Sequence, residues 1–182
     1  MPYGYEEIWI STFHSFCDKI LKQEGLFIAI DPSFTLMTQA QEYIFFRSML
    51  FDLPIKRFRP KGNPTKFIGA ILKHFSRLGD EDILPEEYSV FLKKDGKMDK
   101  EEKADYLELS KLYKLYKEKK ISQSKFGFSD LVPLTLKLFR EKPEVLKKYK
   151  KQFKYILVDE FQDTNYAQNE LIKLLSGKNG NI

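Results

Sequence analysis

The chain has 182 residues, of which 42% are hydrophobic and 15% aromatic. That is enough apolar matter for one domain of ordinary size or two small ones, and it excludes a disordered polymer. No apolar run approaches the ~20 residues of a bilayer span, there is no basic-then-apolar leader, and a single cysteine, Cys17, excludes an internal disulfide or a cysteine-rich metal site, so an intracellular, cytoplasmic location is expected. The formal net charge of +5 makes nucleic acid the partner to look for. The charge is also uneven: Lys56, Arg57, Arg59, Lys61, Lys66, Lys73 and Arg77 follow one another with no acidic residue between, a candidate phosphate-facing surface.

In chain order, Pro2 and Gly4 mark a ragged start, and the alternation in Glu7-Ile8-Trp9-Ile10-Ser11 predicts a short strand. Ser11 or Thr12 caps a helix with Phe13, Phe16, Cys17, Ile20 and Leu21 on one face, ended by Gly25; Cys17 is read as an inert packing residue. Residues 26–37 read as a loop with extended pieces. Thr38-Gln39-Ala40-Gln41 has the form of a capping box and opens a helix to about Leu50, with Ile44, Phe45 and Leu50 inward. Pro54 and Pro60 to Pro64 punctuate a loop, after which Asn63 as cap and Pro64 in the first turn predict a helix through Phe67, Ile68, Ile71, Leu72, Phe75 and Leu78.

Pro85 opens a short helix carrying Tyr88, Phe91 and Leu92. Asp99 caps a long one to about Lys120, with acids near its start and Lys117, Lys119 and Lys120 near its end, as the helix dipole favours. Its stripe of Tyr106, Leu109, Leu112, Tyr113 and Tyr116 reads as core rather than as a base-stacking surface. Phe126-Gly127-Phe128 predicts a turn into a helix capped by Ser129, with Pro133 in its first turn. Pro143 starts a further helix with Val145, Leu146 and Tyr149 inward. Asn165 caps another, carrying Leu171, Ile172, Leu174 and Leu175 and closed by Gly177, and Asn179 to Ile182 reads as a turn.

Tyr155-Ile156-Leu157-Val158-Asp159-Glu160-Phe161-Gln162-Asp163-Thr164-Asn165 stands apart. An apolar run ending in two carboxylates is how a buried parallel strand delivers acids to its carboxyl end, where α/β sheets place ligands. The chemistry it suggests is a magnesium–nucleotide site, with one carboxylate holding the metal's water shell and a second orienting or deprotonating a water. The predicted strands at 7–11 and 154–158 bracket about 140 mostly helical residues. The expected fold is therefore mainly α: a helical insertion domain flanked by remnants of an α/β domain, two short strands plus helices.

Three stretches carry a resemblance to superfamily 1 DNA helicases of the UvrD/PcrA/Rep type: Ile10 to Cys17, which contains a TFHSF motif; Phe128-Ser129-Asp130-Leu131, similar to the F-x-D-L segment before the Walker B strand; and Val158 to Asn165, which matches helicase motif II. The resemblance implies an ATP-dependent 3′-to-5′ DNA helicase acting in repair, replication or recombination. It further implies that the flanking remnants belong to a RecA-like α/β P-loop NTPase domain, with three segments: 1–25 and 126–182 as parts of motor domain 1A, and 26–125 as the helical subdomain 1B. In that family Asp159 would hold Mg²⁺ through water and Glu160 would be the catalytic base. Gln162 would sense the γ-phosphate, with Asp163 and Thr164 supporting it, and Thr12, His14 and Ser15 would bind single-stranded DNA.

The basic helical part is suited by its charge to grip duplex DNA. Lys61, Lys66, Lys73 and Arg77 are the candidate contacts, the last three along one helix, with Asn63 at its amino end as a phosphate site. The sequence departs from the family in having no G-x-x-x-x-G-K-S/T loop; Gly96-Lys97 and Gly177-Lys178 lack the remaining positions. It therefore reads as an excerpt, expected to hydrolyse no ATP and hold no ATP or Mg²⁺ alone. An AddA/RecB-type helicase–nuclease and a non-motor DNA-binding module are the alternatives.

Overall fold

In the computed structural model the described residues are 8–51, 53, 55, 57–94, 96 and 98–177. The expectations at Pro2, Gly4, Glu7, Pro54, Lys56, Lys97, Lys178 and 179–182 lie outside them.

Helix α1, Phe13–Glu24, starts where the Thr12 hydroxyl accepts from the Ser15 amide, and a 3-10 turn, Gly25–Ile28, follows it. Strand β1, Thr35–Met37, leads into α2, Gln39–Met49, through the expected capping box: Thr38 Oγ1 accepts from the Gln41 amide and Gln41 Oε1 from the Thr38 amide. Then come α3 (Ile68–Asp80), α4 (Pro85–Lys94) and α5 (Lys100–Ser122), the last capped by Asp99. Strand β2, Lys125–Gly127, is followed by α6 (Phe128–Glu141), α7 (Pro143–Gln152) and α8 (Tyr166–Ser176), the last with an Asn165–Gln168 capping box.

The described sheet has two parallel strands, with Thr35 opposite Lys125 and Met37 opposite Gly127. Helices α2–α5 form the crossover between them, so both ends of the helical excursion are stitched at one seam. Two apolar cores lie on either side. One joins α2–α5 around Phe46, Phe75, Leu112, Tyr113 and Tyr116; the Tyr113 and Tyr116 rings lie 4.8 and 5.8 Å from that of Phe75, so the tyrosine stripe is core. The other joins α1 and α6–α8 around Cys17, Leu21, Leu136, Tyr149 and Leu171. Burial pushes the Cys17 thiol up to about 12, with the Thr135 hydroxyl pulling the other way. The thiolate is the reactive form, so native protein should leave a disulfide-exchange reagent unconsumed, and full reaction should appear only on unfolding. Prompt labelling of native protein would show that the core between α1 and α6–α8 is not closed over Cys17.

Several local expectations are corrected. Residues 8–11 and 154–158 belong to no helix and to no sheet among the described residues, and the chain bends at Lys154. Their side chains alternate as in a strand: Trp9, Ile156 and Val158 pack inward, while Ile8, Ile10, Tyr155 and Leu157 are 82, 93, 78 and 94% exposed. The expectation that the second segment is covered on both faces fails with it. A strand exists only through ladder pairing with its neighbour, and among the described residues the only paired strands are β1 and β2.

The helix predicted from Asn63 and Pro64 begins at Ile68, because residues 64–67 form turns in which Asn63 Oδ1 accepts from the Thr65 hydroxyl. Lys66 therefore precedes the helix that carries Lys73 and Arg77, and Asn63 is not at its amino end. Ser129 does not cap α6. Gly127 does, and its amide donates to Asp130 Oδ2 at 2.8 Å. Ile44 and Phe91 point outward, and Phe46 takes the inward place on α2. Lys120 is buried among acids rather than exposed at the end of α5.

Candidate functional site

The acidic corner begins where the segment 154–158 ends. Asp159 Oδ1 accepts from the Glu160 amide at 3.0 Å, and Glu160 takes φ 49°, ψ 44°, a left-handed conformation uncommon for a residue with a β-carbon. That turn reverses the chain into a 3-10 turn, Phe161–Asp163, in which the Asp163 amide donates to Glu160 O at 2.9 Å and Thr164 Oγ1 to Phe161 O at 2.8 Å. Gln162 Nε2 donates to Glu160 Oε2. Asp159, Glu160, Gln162 and Asp163 are all exposed, so the corner presents its carboxylates outward on a locally hydrogen-bonded loop.

Among the described residues no group of three or more His, Cys, Asp or Glu side chains is set to hold a metal. The Asp159–Glu160 pair suits Mg²⁺, which takes one or two carboxylates and fills its other positions with water and phosphate oxygens.

Two hollows lie near this corner. The first, of about 500 Å³, is lined by Trp9, Thr12, His14, Ile156, Val158 and Asp159 among others, so segments 8–11 and 154–158 and the first carboxylate share it. The second is a cleft of about 710 Å³ between the two cores, lined by Tyr43, Lys73, Asp80, Phe128, Ser129 and again His14. Phe128 is half exposed at the start of α6, with its ring 6.0 Å from and edge-on to that of His14. Lys73 is exposed on α3. Partial burial pushes the Asp80 carboxyl above its ordinary value, and the charge of His14 opposes that rise.

The inner wall of the same cleft is a charged cluster of Glu42, Tyr116, Lys117, Lys120 and Asp130, with Asp130 and Lys120 buried at 1 and 2% exposure. Asp130 receives Lys117 at 2.6 Å and also Lys120, Lys120 reaches Glu42 at 3.3 Å, and the Tyr116 hydroxyl donates to Glu42 at 2.9 Å. Burial alone would raise the Asp130 carboxyl. The two ammonium groups outweigh it and hold the acid far below the usual carboxylate range. This cluster ties α2 and α5 to α6 across the two cores.

Of the residues singled out from sequence, Asp159, Glu160, Gln162, Asp163 and Thr164 form one loop. His14 and Lys73 meet in the cleft. Thr12 and Ser15 are exposed at the start of α1, with Thr12 also lining the first hollow. Lys61, Asn63, Lys66 and Arg77 are exposed but do not line the cleft, and the Lys66 ammonium sits 5.3 Å over the Phe67 ring. Sequence reading did not single out Phe128 as part of the cleft wall, although its F-x-D-L setting was visible. It also missed Asp80, whose partner is 85 residues away in sequence.

The combination of an apolar segment ending in Asp-Glu, a Thr-Phe-His-Ser-Phe helix start and a helical excursion between them is that of the N-terminal domain of superfamily 1 helicases. A profile of the UvrD/REP helicase N-terminal domain matches residues 3–182, and the chain belongs to that family. It is 35% identical over 181 residues to the ATP-dependent DNA helicase PcrA of Bacillus subtilis (strain 168), covering 98% of this chain and 22% of the relative. It is likewise 35% identical over 181 residues to PcrA of Staphylococcus aureus (strain Mu50 / ATCC 700699), covering 97% of this chain and 22% of that protein. The chain thus spans about a fifth of the length of these relatives.

Proposed function

We propose that this chain is the part of an ATP-dependent 3′-to-5′ DNA helicase that carries one half of the nucleotide site and part of the single-strand path. Residues 26–125 are the helical subdomain 1B, and 1–25 and 126–182 are parts of motor domain 1A. The two cores and the β1–β2 seam near the edges of that excursion support this division, with Ile30 and Phe34 at its start packing into the core of the flanking parts. The chain contains no G-x-x-x-x-G-K-S/T loop, so the phosphate cradle comes from sequence outside these residues.

Asp159 would hold a water-shelled Mg²⁺, which supplies charge neutralisation on the phosphates when bound. Glu160 takes a proton from the attacking water at its carboxylate. Its left-handed backbone supports the role, since strained non-glycine conformations persist where the surroundings over-determine them. Gln162, bonded to that carboxylate, would respond when a γ-phosphate arrives, with Asp163 and Thr164 closing the turn beneath it.

The observation that carries the reading is that His14 lines both hollows, so a strand in the cleft and the acidic corner share a wall. In the cleft, the Phe128 ring offers a base a stacking face, and Lys73 and His14 offer cationic or donor groups to the backbone. Thr12 and Ser15 extend that path. Lys61, Asn63, Lys66 and Arg77 face duplex DNA outside it.

The test is binding of a fluorescent oligothymidylate to this chain. Phe128→Ala should weaken it about tenfold, the loss of one base–aromatic stack. Lys73→Glu should weaken it and flatten its salt dependence. Unchanged affinity in both variants would remove the cleft as the DNA path.

A further inference from the structure

The cleft and the acidic corner are joined by one side-chain hydrogen bond. Asp80, the last residue of α3, lies in the cleft wall, and its Oδ1 accepts from Asn165 Nδ2 at 2.8 Å. Among the described residues this is the one side-chain hydrogen bond that ties 159–165 to another part of the fold; the others in that loop run within it or into the first turn of α8. The end of α3 is itself firmly seated. A β-carbon on Gly79 would stand 3.0 Å from Ser129 O, so the helix runs close against α6. Asp82, left-handed at φ 54°, forms an ion pair with Arg140 on α6 at 2.6 Å.

Asn165 has two tasks that depend on which way its amide points. Its Oδ1 accepts from the Gln168 amide at 2.9 Å and so caps α8, while its Nδ2 faces Asp80. An ionised carboxylate has only acceptors, so Asp80 can be satisfied by the NH₂ end alone. The acid thereby selects the amide orientation that leaves Oδ1 for the cap. Helix α3 also carries Lys73 in the same cleft wall, so a shift of α3 moves both the cleft and the anchor of the loop.

We propose that Asp80 is the positioning residue of the acidic corner, fixing the Asn165 cap and with it the loop that presents Asp159 and Glu160 beside the cleft. This rests on the reading of those two carboxylates as a nucleotide site. The anchor itself can be tested without nucleotide or DNA, by amide hydrogen exchange on the 182-residue chain.

Asp80→Ala should speed exchange of amides 160–169 about fivefold, the effect of one lost hydrogen bond of ordinary strength, with α2 and α5 unchanged. Asp80→Asn keeps an acceptor and should stay near the parent. Asn165→Asp retains a capping oxygen but sets two carboxylates against each other, and should loosen the loop as Asp80→Ala does. Combining it with Asp80→Asn returns a donor to the pair and should restore protection. No change in Asp80→Ala, or an acceleration spread equally over α5, would overturn the proposal. Failure of the nucleotide reading is seen separately, in the hydrolysis rate of a Glu160→Gln protein.

Discussion

Asp130→Ala is expected to lower the unfolding free energy by about 3–5 kcal/mol, the range seen when one member of a buried ion pair is removed and its partner is left without it. Urea denaturation followed by far-UV circular dichroism measures it. Asp130 accepts from Lys117, Lys120 and the Gly127 amide, and Lys120 is 2% exposed with Glu42, at 3.3 Å, as its remaining partner. Removing the carboxylate therefore leaves an interior ammonium with only Glu42 and the Tyr116 ring, loosens Lys117 and removes the acceptor of the Gly127 amide at the start of α6 in a single change. The loss should disturb both cores, since Glu42 and Tyr116 belong to one and Asp130 to the helix that builds the other.

The pH dependence has a definite sign. The folded state holds Asp130 below its unfolded value of ~3.9, so the unfolded chain binds its proton first as acid is added. The stabilisation is fully present above about pH 4 and is lost as pH falls from there through the folded value. The stability gap between the parent and Asp130→Asn should therefore be flat from about pH 7 to 5 and close below about pH 4. A gap that closes near neutrality would overturn this assignment.

In the whole protein that carries this chain, Glu160→Gln should reduce ATP hydrolysis by roughly 10²–10⁴-fold, the contribution of a positioned general base, while nucleotide binding is retained. The exchange is nearly isosteric, and the substituted amide keeps an oxygen that can accept from Gln162. The variant thus removes the proton acceptor and little else. Asp159→Asn should act differently, weakening hydrolysis mainly through the Mg²⁺ requirement, so that raising Mg²⁺ recovers part of the rate. Phosphate release set against binding of a fluorescent nucleotide separates the two. An undiminished rate in Glu160→Gln would reassign the base.

Local chemistry was legible from the residues. Thr12, Thr38, Asp99 and Asn165 each cap the helix expected of them, because a hydroxyl, carboxylate or amide oxygen meets an amide two or three positions on and needs no distant partner. The same holds for the Thr38–Gln41 capping box and for the inward tyrosines of α5. Motif order and spacing were enough to place the chain among its relatives. Where a choice hung on one residue's local signal, such as Asn63-Pro64 or Ser129, the observed start moved by a few positions, because the Thr65 hydroxyl and the Asp130 carboxylate made alternative bonds nearby.

Asp159 and Glu160 were visible as an acidic corner from the residues alone, but its setting was not. The segments 8–11 and 154–158 carry a strand's alternation without being strands, since pairing is a property of neighbours rather than of the segment. The pairing that does form, Thr35–Met37 with Lys125–Gly127, joins residues far apart in sequence. Asp80 meets Asn165, and Lys120 lies between Glu42 and Asp130, only because α3 and α5 fold back on α6 and α8. Most helices, their caps and the acidic loop follow from groups a few residues apart, and so could be read along the chain. The seam, the buried charges, the cleft and the anchor of that loop depend on groups that meet only when the two cores close, and folding alone brings them together.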